Sequence, residues 1–214
     1  MSKIFALLLL CLFGQATLAI DKNEEKLKDA LMNGYLTYAA PTFPVNVTLG
    51  IDLTTLNQFD IVSGFGKMNL VFRTMWVDER LKWDPTRYGG LEQVFFDTNK
   101  LVSPRVWTPD VLCTTCVQQS LAQSTAIVKY TGEVIWGRYG NMQFLVPFSL
   151  SNFPFDDQYF DLNFYCWSLY VPQVYISGTD PFLVYDDYSY IENAVWKIKS
   201  VDPAALVMQD YNGT

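Results

Sequence analysis

Apolar and polar residues alternate strictly over two long stretches of this chain. Val45, Val47, Leu49, Ile51 and Leu53 interleave with Asn46, Thr48, Gly50 and Asp52. Met68, Leu70, Phe72, Thr74 and Trp76 interleave with Asn69, Val71, Arg73 and Met75. Strand side chains point to opposite faces in turn, so a period of two predicts half-buried strands with one face in the core. Shorter apolar runs at 126–128, 134–136, 142–148 and 160–167 are set apart by Thr131-Gly132, Tyr139-Gly140-Asn141 and a turn over 152–157. Short strands spaced in this way predict an all-β sandwich. One helix precedes them. Asp21 and Glu24 have capping-box spacing, Leu27, Ala30 and Leu31 share a helical face, and Asn33-Gly34 supplies the stop. No repeat or linker interrupts residues 20–214, which read as a single domain.

The first 19 residues stand apart. Lys3 precedes an unbroken apolar run from Ile4 to Phe13, and Thr17-Leu18-Ala19 offers small residues for cleavage. That is the pattern of a secretory signal peptide, too short for a membrane span. No other run reaches 18 apolar residues, so the chain is expected to be secreted.

Composition narrows the function classes. The formal net charge is −7, and an acidic domain lacks the basic face that nucleic acid requires. Histidine is absent, which removes the commonest general base, and no carboxylate pair is placed together by the sequence; an enzyme is not expected. The lack of histidine also weakens any zinc reading of Cys113 and Cys116, and no cofactor is expected. Aromatics make up 16% of the chain, a surplus suited to interfaces and ligand cages. Three cysteines remain after the leader: Cys113 and Cys116 can pair locally, which leaves Cys166 free. Asn46-Val47-Thr48 is a sequon on the polar face of its strand, so Asn46 is a glycosylation candidate, whereas Asn212-Gly213-Thr214 lies close to the end of the sequence.

Five motifs occur in order: Trp76-Val77-Asp78, Trp107-Thr108-Pro109-Asp110, Thr131-Gly132-Glu133-Val134, Phe153-Pro154-Phe155-Asp156 and Cys166-Trp167-Ser168. From about Asp21 to Tyr211 the chain resembles the extracellular ligand-binding domain of Cys-loop receptors, the pentameric ligand-gated ion channels, and the acetylcholine-binding proteins that share it. The resemblance implies an immunoglobulin-like β-sandwich of about ten strands with a short N-terminal helix. It also implies a homo-oligomer, a pentamer, that binds a small amine or amino-acid-like ligand between subunits. The two cysteines that name the family are missing: their positions hold Val146 and Phe160. A disulfide closing such a loop contributes about 3 kcal/mol in the chain-entropy model, a role that apolar packing must fill here.

The resemblance also assigns ligand-site positions. Trp167 matches the loop B tryptophan that floors an aromatic cage, in which a ring face holds a cation. Tyr211 falls near the first loop C tyrosine. The loop A tyrosine position holds Thr114 and the loop D tryptophan position holds Val71. Arg73, two residues beyond Val71, matches an arginine that receptors for glycine and GABA use, and its planar fork suits a carboxylate. Ile135 and Gly137 fall at the loop E positions, with Trp136 and Tyr139 as aromatics that could compensate nearby. The Tyr185-Asp186-Asp187-Tyr188 run is a source of negative charge in loop F. The family's vicinal cysteines, second loop C tyrosine and last strand would lie beyond Thr214, so the sequence is expected to be part of a longer chain. Two readings follow: a secreted binding protein, or the outer domain of a channel whose membrane helices come later.

Overall fold

The computed structural model describes residues 22–98, 105–153, 155–167, 173–184 and 190–199, the backbone alone over 179–184. The expected leader, Asp21, Tyr211, Asn212 and the Tyr185–Tyr188 run lie outside the described residues.

A helix, α1, covers 22–32 and buries Leu27 and Leu31 against the sandwich. Gly34, at φ +78°, ends it in the left-handed conformation that glycine adopts without steric cost. Nine strands follow among the described residues: β1 (Val45–Asp60), β2 (Phe65–Val77), β3 (Gln93–Asp97), β4 (Val111–Cys113), β5 (Cys116–Leu121), β6 (Thr125–Lys129), β7 (Glu133–Leu145), β8 (Phe164–Cys166) and β9 (Val174–Val184). A seven-stranded sheet runs β3-β6-β7-β2-β1-β9, with β5 also paired to β7, while β4 and β8 form a two-stranded sheet. The fold is an all-β, immunoglobulin-like sandwich, as the alternation requires.

The core sits where the period-two pattern places it. Gly66, Met68, Leu70, Phe72, Thr74 and Trp76 of β2 are buried, and the residues between them are not. In β7 the inward set is Val134, Trp136, Met142 and Phe144. Burying side chains of this size contributes about 1.5–3 kcal/mol each.

The Tyr139-Gly140-Asn141 segment does not separate two strands; β7 passes through it as one strand of 13 residues. Gly140 is there for another reason. A Cβ on it would lie 2.0 Å from the Ser120 carbonyl oxygen, because β5 lies against this half of β7 and β6 against the other. The Thr131-Gly132 turn does join β6 to β7, with Gly132 at φ +84°.

Aromatic packing occupies the place of the missing disulfide. Val146 is buried, and Phe160 stacks on Phe144 at 4.3 Å between centroids and lies 6.1 Å from Phe59. Phe59 also meets Phe148 and Trp196.

A polar network ties the segment after α1 to the strand ends. Asp78, fully buried, accepts hydrogen bonds from Arg80 Nε (2.8 Å), Arg80 Nη2 (2.7 Å) and the Tyr35 hydroxyl (2.7 Å). The Trp107 backbone N–H donates to Tyr35 Oη at 3.0 Å, and the Trp107 ring meets Trp76 edge-on at 5.8 Å. Burial pushes the Tyr35 phenol far above its ordinary range, with the Asp78 carboxylate adding to the effect. The Trp76–Asp78 and Trp107 motifs therefore serve the architecture of this chain.

Candidate functional site

Four of the expected site residues share one face of the large sheet. Val71 and Arg73 lie at odd positions of β2, opposite the buried even set, and Ile135 and Gly137 do the same on β7. The register sets Arg73 against Gly137, Met75 against Ile135, and Val71 against Tyr139. A Cβ on Gly137 would lie 3.3 Å from Val71 Cγ1, so glycine leaves the valine room on this face. Tyr139 is exposed beside them. Trp136 is not. Its even register turns it inward, where it is 6% exposed, so it cannot line this face as the sequence suggested.

Arg73 already has a carboxylate. Its Nη2 lies 2.8 Å from Asp52 Oδ1 on β1, both side chains being partly exposed. The register places Asp52 beside Val71 and Gly50 beside Arg73, so the pair crosses the β1–β2 ladder diagonally. One nitrogen of the Arg73 fork is thus paired within its own chain, while its Nε is buried without an acceptor among the described residues.

Thr114 and Trp167 lie instead on the small β4–β8 sheet. Thr114 donates to the Asn163 carbonyl from its backbone N–H at 2.7 Å and from Oγ1 at 3.1 Å. Cys113 and Cys116 are joined in a disulfide around it, and the Cys166 thiol, outside that disulfide, is buried and donates to Asp110 Oδ1 at 2.8 Å. The Trp167 backbone N–H donates to the Asp110 carbonyl at 3.3 Å, and its side chain is 71% exposed. Thr114 and Trp167 are therefore four residues apart along the ladder, roughly 13 Å at strand rise, and do not touch.

Between them on the same face sit Tyr165 and Leu112, which are directly paired. The Tyr165 ring meets Trp167 edge-on at 5.9 Å. Tyr165 was not singled out from the sequence, because residues 160–167 read there as an undivided apolar run. The signal was the two-residue spacing from Trp167, which puts both rings on one side of β8.

Each chain thus presents two separate half-faces. One is aromatic and open, carrying Trp167, Tyr165 and Leu112. The other is a strand surface holding Val71, Ile135 and Gly137 around the Asp52–Arg73 pair. Asn46 is exposed on β1. Among the described residues, no group of three or more acidic, cysteine or histidine side chains is placed to hold a metal ion, and no helix is long and apolar enough to cross a membrane.

Residues 24–212 match the family model described as the neurotransmitter-gated ion-channel ligand binding domain. The chain is 30% identical over 204 residues to the neuronal acetylcholine receptor subunit alpha-6 of Mus musculus, covering 88% of this chain and 40% of the relative. It is 29% identical over 195 residues to the neuronal acetylcholine receptor subunit alpha-9-I of Oncorhynchus mykiss, with 87% of this chain and 33% of the relative covered. It is 27% identical over 188 residues to the acetylcholine receptor subunit beta-like 2 of Drosophila melanogaster, with 80% and 35% covered. The chain therefore spans 40% or less of the length of these three relatives. With a family match across nearly its whole length and a β-sandwich fold, this chain belongs to the neurotransmitter-gated ion-channel ligand-binding domain family, the extracellular domain of Cys-loop receptors.

Proposed function

We propose that this domain binds a small organic ammonium ion between adjacent copies of itself, in a secreted homopentamer of the acetylcholine-binding-protein type. The observation that carries the reading is Trp167, exposed at 71% with Tyr165 edge-on beside it. A tryptophan presented to solvent next to a second ring gives a cation a π-face at about 0.5–2 kcal/mol per contact. The Val71, Ile135 and Gly137 surface of the next copy would form the opposing wall, and Tyr211 would close the cage. The relatives are acetylcholine receptor subunits by name, and acetylcholine is a quaternary ammonium compound, which agrees with this class.

The Asp52–Arg73 pair sharpens the choice of ligand. A ligand carboxylate would have to displace Asp52 from Nη2 to take the guanidinium fork with both oxygens, whereas an ammonium group meets no such competitor. The reading therefore favours a cation over an amino-acid zwitterion. Thr114 supplies a hydrogen-bonded turn in place of an aromatic wall, and the exposed Asn46 sequon is proposed to carry a glycan.

Isothermal titration of the purified domain with choline, acetylcholine, glycine and GABA tests the proposal. An amine should bind, and Trp167→Ala should weaken it by up to about 30-fold, the equivalent of ~2 kcal/mol. Binding of amino acids alone, or amine binding that survives Trp167→Ala, would refute it.

A second reading, the outer domain of a channel, has its own observation. Val62 is 99% exposed and Phe155 90% exposed, and the Val146 N–H to Gly64 carbonyl bond (2.9 Å) places the β1–β2 turn beside the start of the 146–160 loop. Apolar side chains collected at one end suit a surface that rests on another domain. Full-length transcript sequence decides between the two: four apolar runs of about 20 residues after Thr214 would establish the channel.

A further inference from the structure

One inward position of β7 breaks the apolar pattern. Arg138 lies between Trp136 and Gly140 in the even register and is partly buried. Its Cζ is 3.9 Å from the centroid of the Trp136 ring and 5.4 Å from that of Phe72, and the Phe72 ring also stacks on Phe164 of β8 at 5.3 Å. These rings take up the flat face of the guanidinium. Its N–H donors, however, radiate from the rim in the plane of the group, where a ring face offers them nothing.

The donors at that rim are unmet. Nε and Nη2 of Arg138 are buried and have no hydrogen-bond acceptor among the described residues. The indole Nε1 of Trp136, part of the same stack, is buried and unmet in the same way. Burial lowers the Arg138 pKa to about 10 without an acidic neighbour to oppose the shift, so the group stays cationic at neutral pH. A partly buried cation with two buried open donors and no counter-charge among the described residues is disfavoured. A water molecule would satisfy a donor but supply no charge. An anion supplies both.

We propose that Arg138 and Trp136 form an internal site for one small monovalent anion of the halide class, held by the Nε and Nη2 donors of Arg138 and steadied by the Trp136 indole N–H. The ion is small because it must reach the Nε and Nη2 atoms of Arg138, which are themselves shut off from solvent. The site lies on the inward face of β7 and does not depend on what the outer half-faces bind.

Thermal unfolding of the whole domain in sodium chloride, sodium bromide and sodium gluconate at one ionic strength tests this. Halide should raise Tm relative to gluconate by about 3–5 °C for each tenfold increase above its Kd. The response should vanish in Arg138→Met. Should that variant fail to fold, a bromide-soaked crystal of the wild-type protein decides, through an anomalous peak within hydrogen-bond distance of Arg138 Nε and Nη2. Equal Tm in halide and gluconate overturns the proposal, as does a halide response that persists in Arg138→Met. So does a crystal in which water, or a carboxylate from residues 185–189 or a neighbouring subunit, sits on those nitrogens.

Discussion

Replacing Arg80 with Met removes most of the compensation for a carboxylate that water cannot reach. Asp78 is 0% exposed and loses the Nε and Nη2 bonds at 2.8 and 2.7 Å, keeping only the Tyr35 hydroxyl and the Arg80 backbone N–H at 3.1 Å. The Ala39 carbonyl loses its donor as well. Removing one partner of a buried pair costs about 3–5 kcal/mol. The Arg80 side chain is about a third exposed, so water partly refills its place and the lower end, ~3 kcal/mol, is expected. Against a total stability of about 5–15 kcal/mol, that lowers Tm by roughly 6–12 °C for a domain of this size. Arg80→Lys, which keeps a charge but not the fork, should lose about half as much. Urea unfolding with a check on the m-value is the assay. A loss below about 0.7 kcal/mol for Arg80→Met at unchanged m would refute the view that this network holds Tyr35 and Trp107 to the strand ends.

Three further outcomes follow from the packing. Gly140→Ala should cost more than about 2 kcal/mol and expose the β5 amides to hydrogen exchange, since the new methyl meets backbone rather than a side chain that can move; unchanged β5 protection would count against the close approach of the two strands. Phe160→Ala should cost about 2 kcal/mol by chemical denaturation, less than a fully buried phenylalanine because the ring is only partly covered; a neutral result would mean that aromatic stacking does not replace the missing disulfide. The phenol of Tyr35 is held above its ordinary value near 10, so its contribution is complete below pH 10 and fades as alkali ionises the unfolded chain first. Tyr35→Phe should accordingly flatten the alkaline limb of the stability curve above pH 10, and an unaltered limb would refute the assignment.

The sequence by itself determined the strands whose faces differ in polarity and the order of the motifs. In β2 the alternation from Met68 to Trp76 set which side chains enter the core, because inside and outside are local properties of a pleated strand. The helix over Leu27 and Leu31 and the Thr131-Gly132 turn were legible for the same reason. The order and spacing of Trp76-Val77-Asp78, Trp107, Phe153 and Trp167 carried the family, since each motif is short and contiguous.

Only the tertiary structure decided how separate strands lie against one another. Gly140 read as a turn residue, yet it is a point of contact with Ser120 on a strand 20 positions earlier. Asp52 became the partner of Arg73 through the register of β1 on β2, and Tyr165 joined Trp167 through the facing of β8. Trp136 and Arg138 took the inward register together, the first buried and the second partly so, because β7 continues without a break. Register is fixed by the sum of many cross-strand contacts, and no window of neighbouring residues contains that sum.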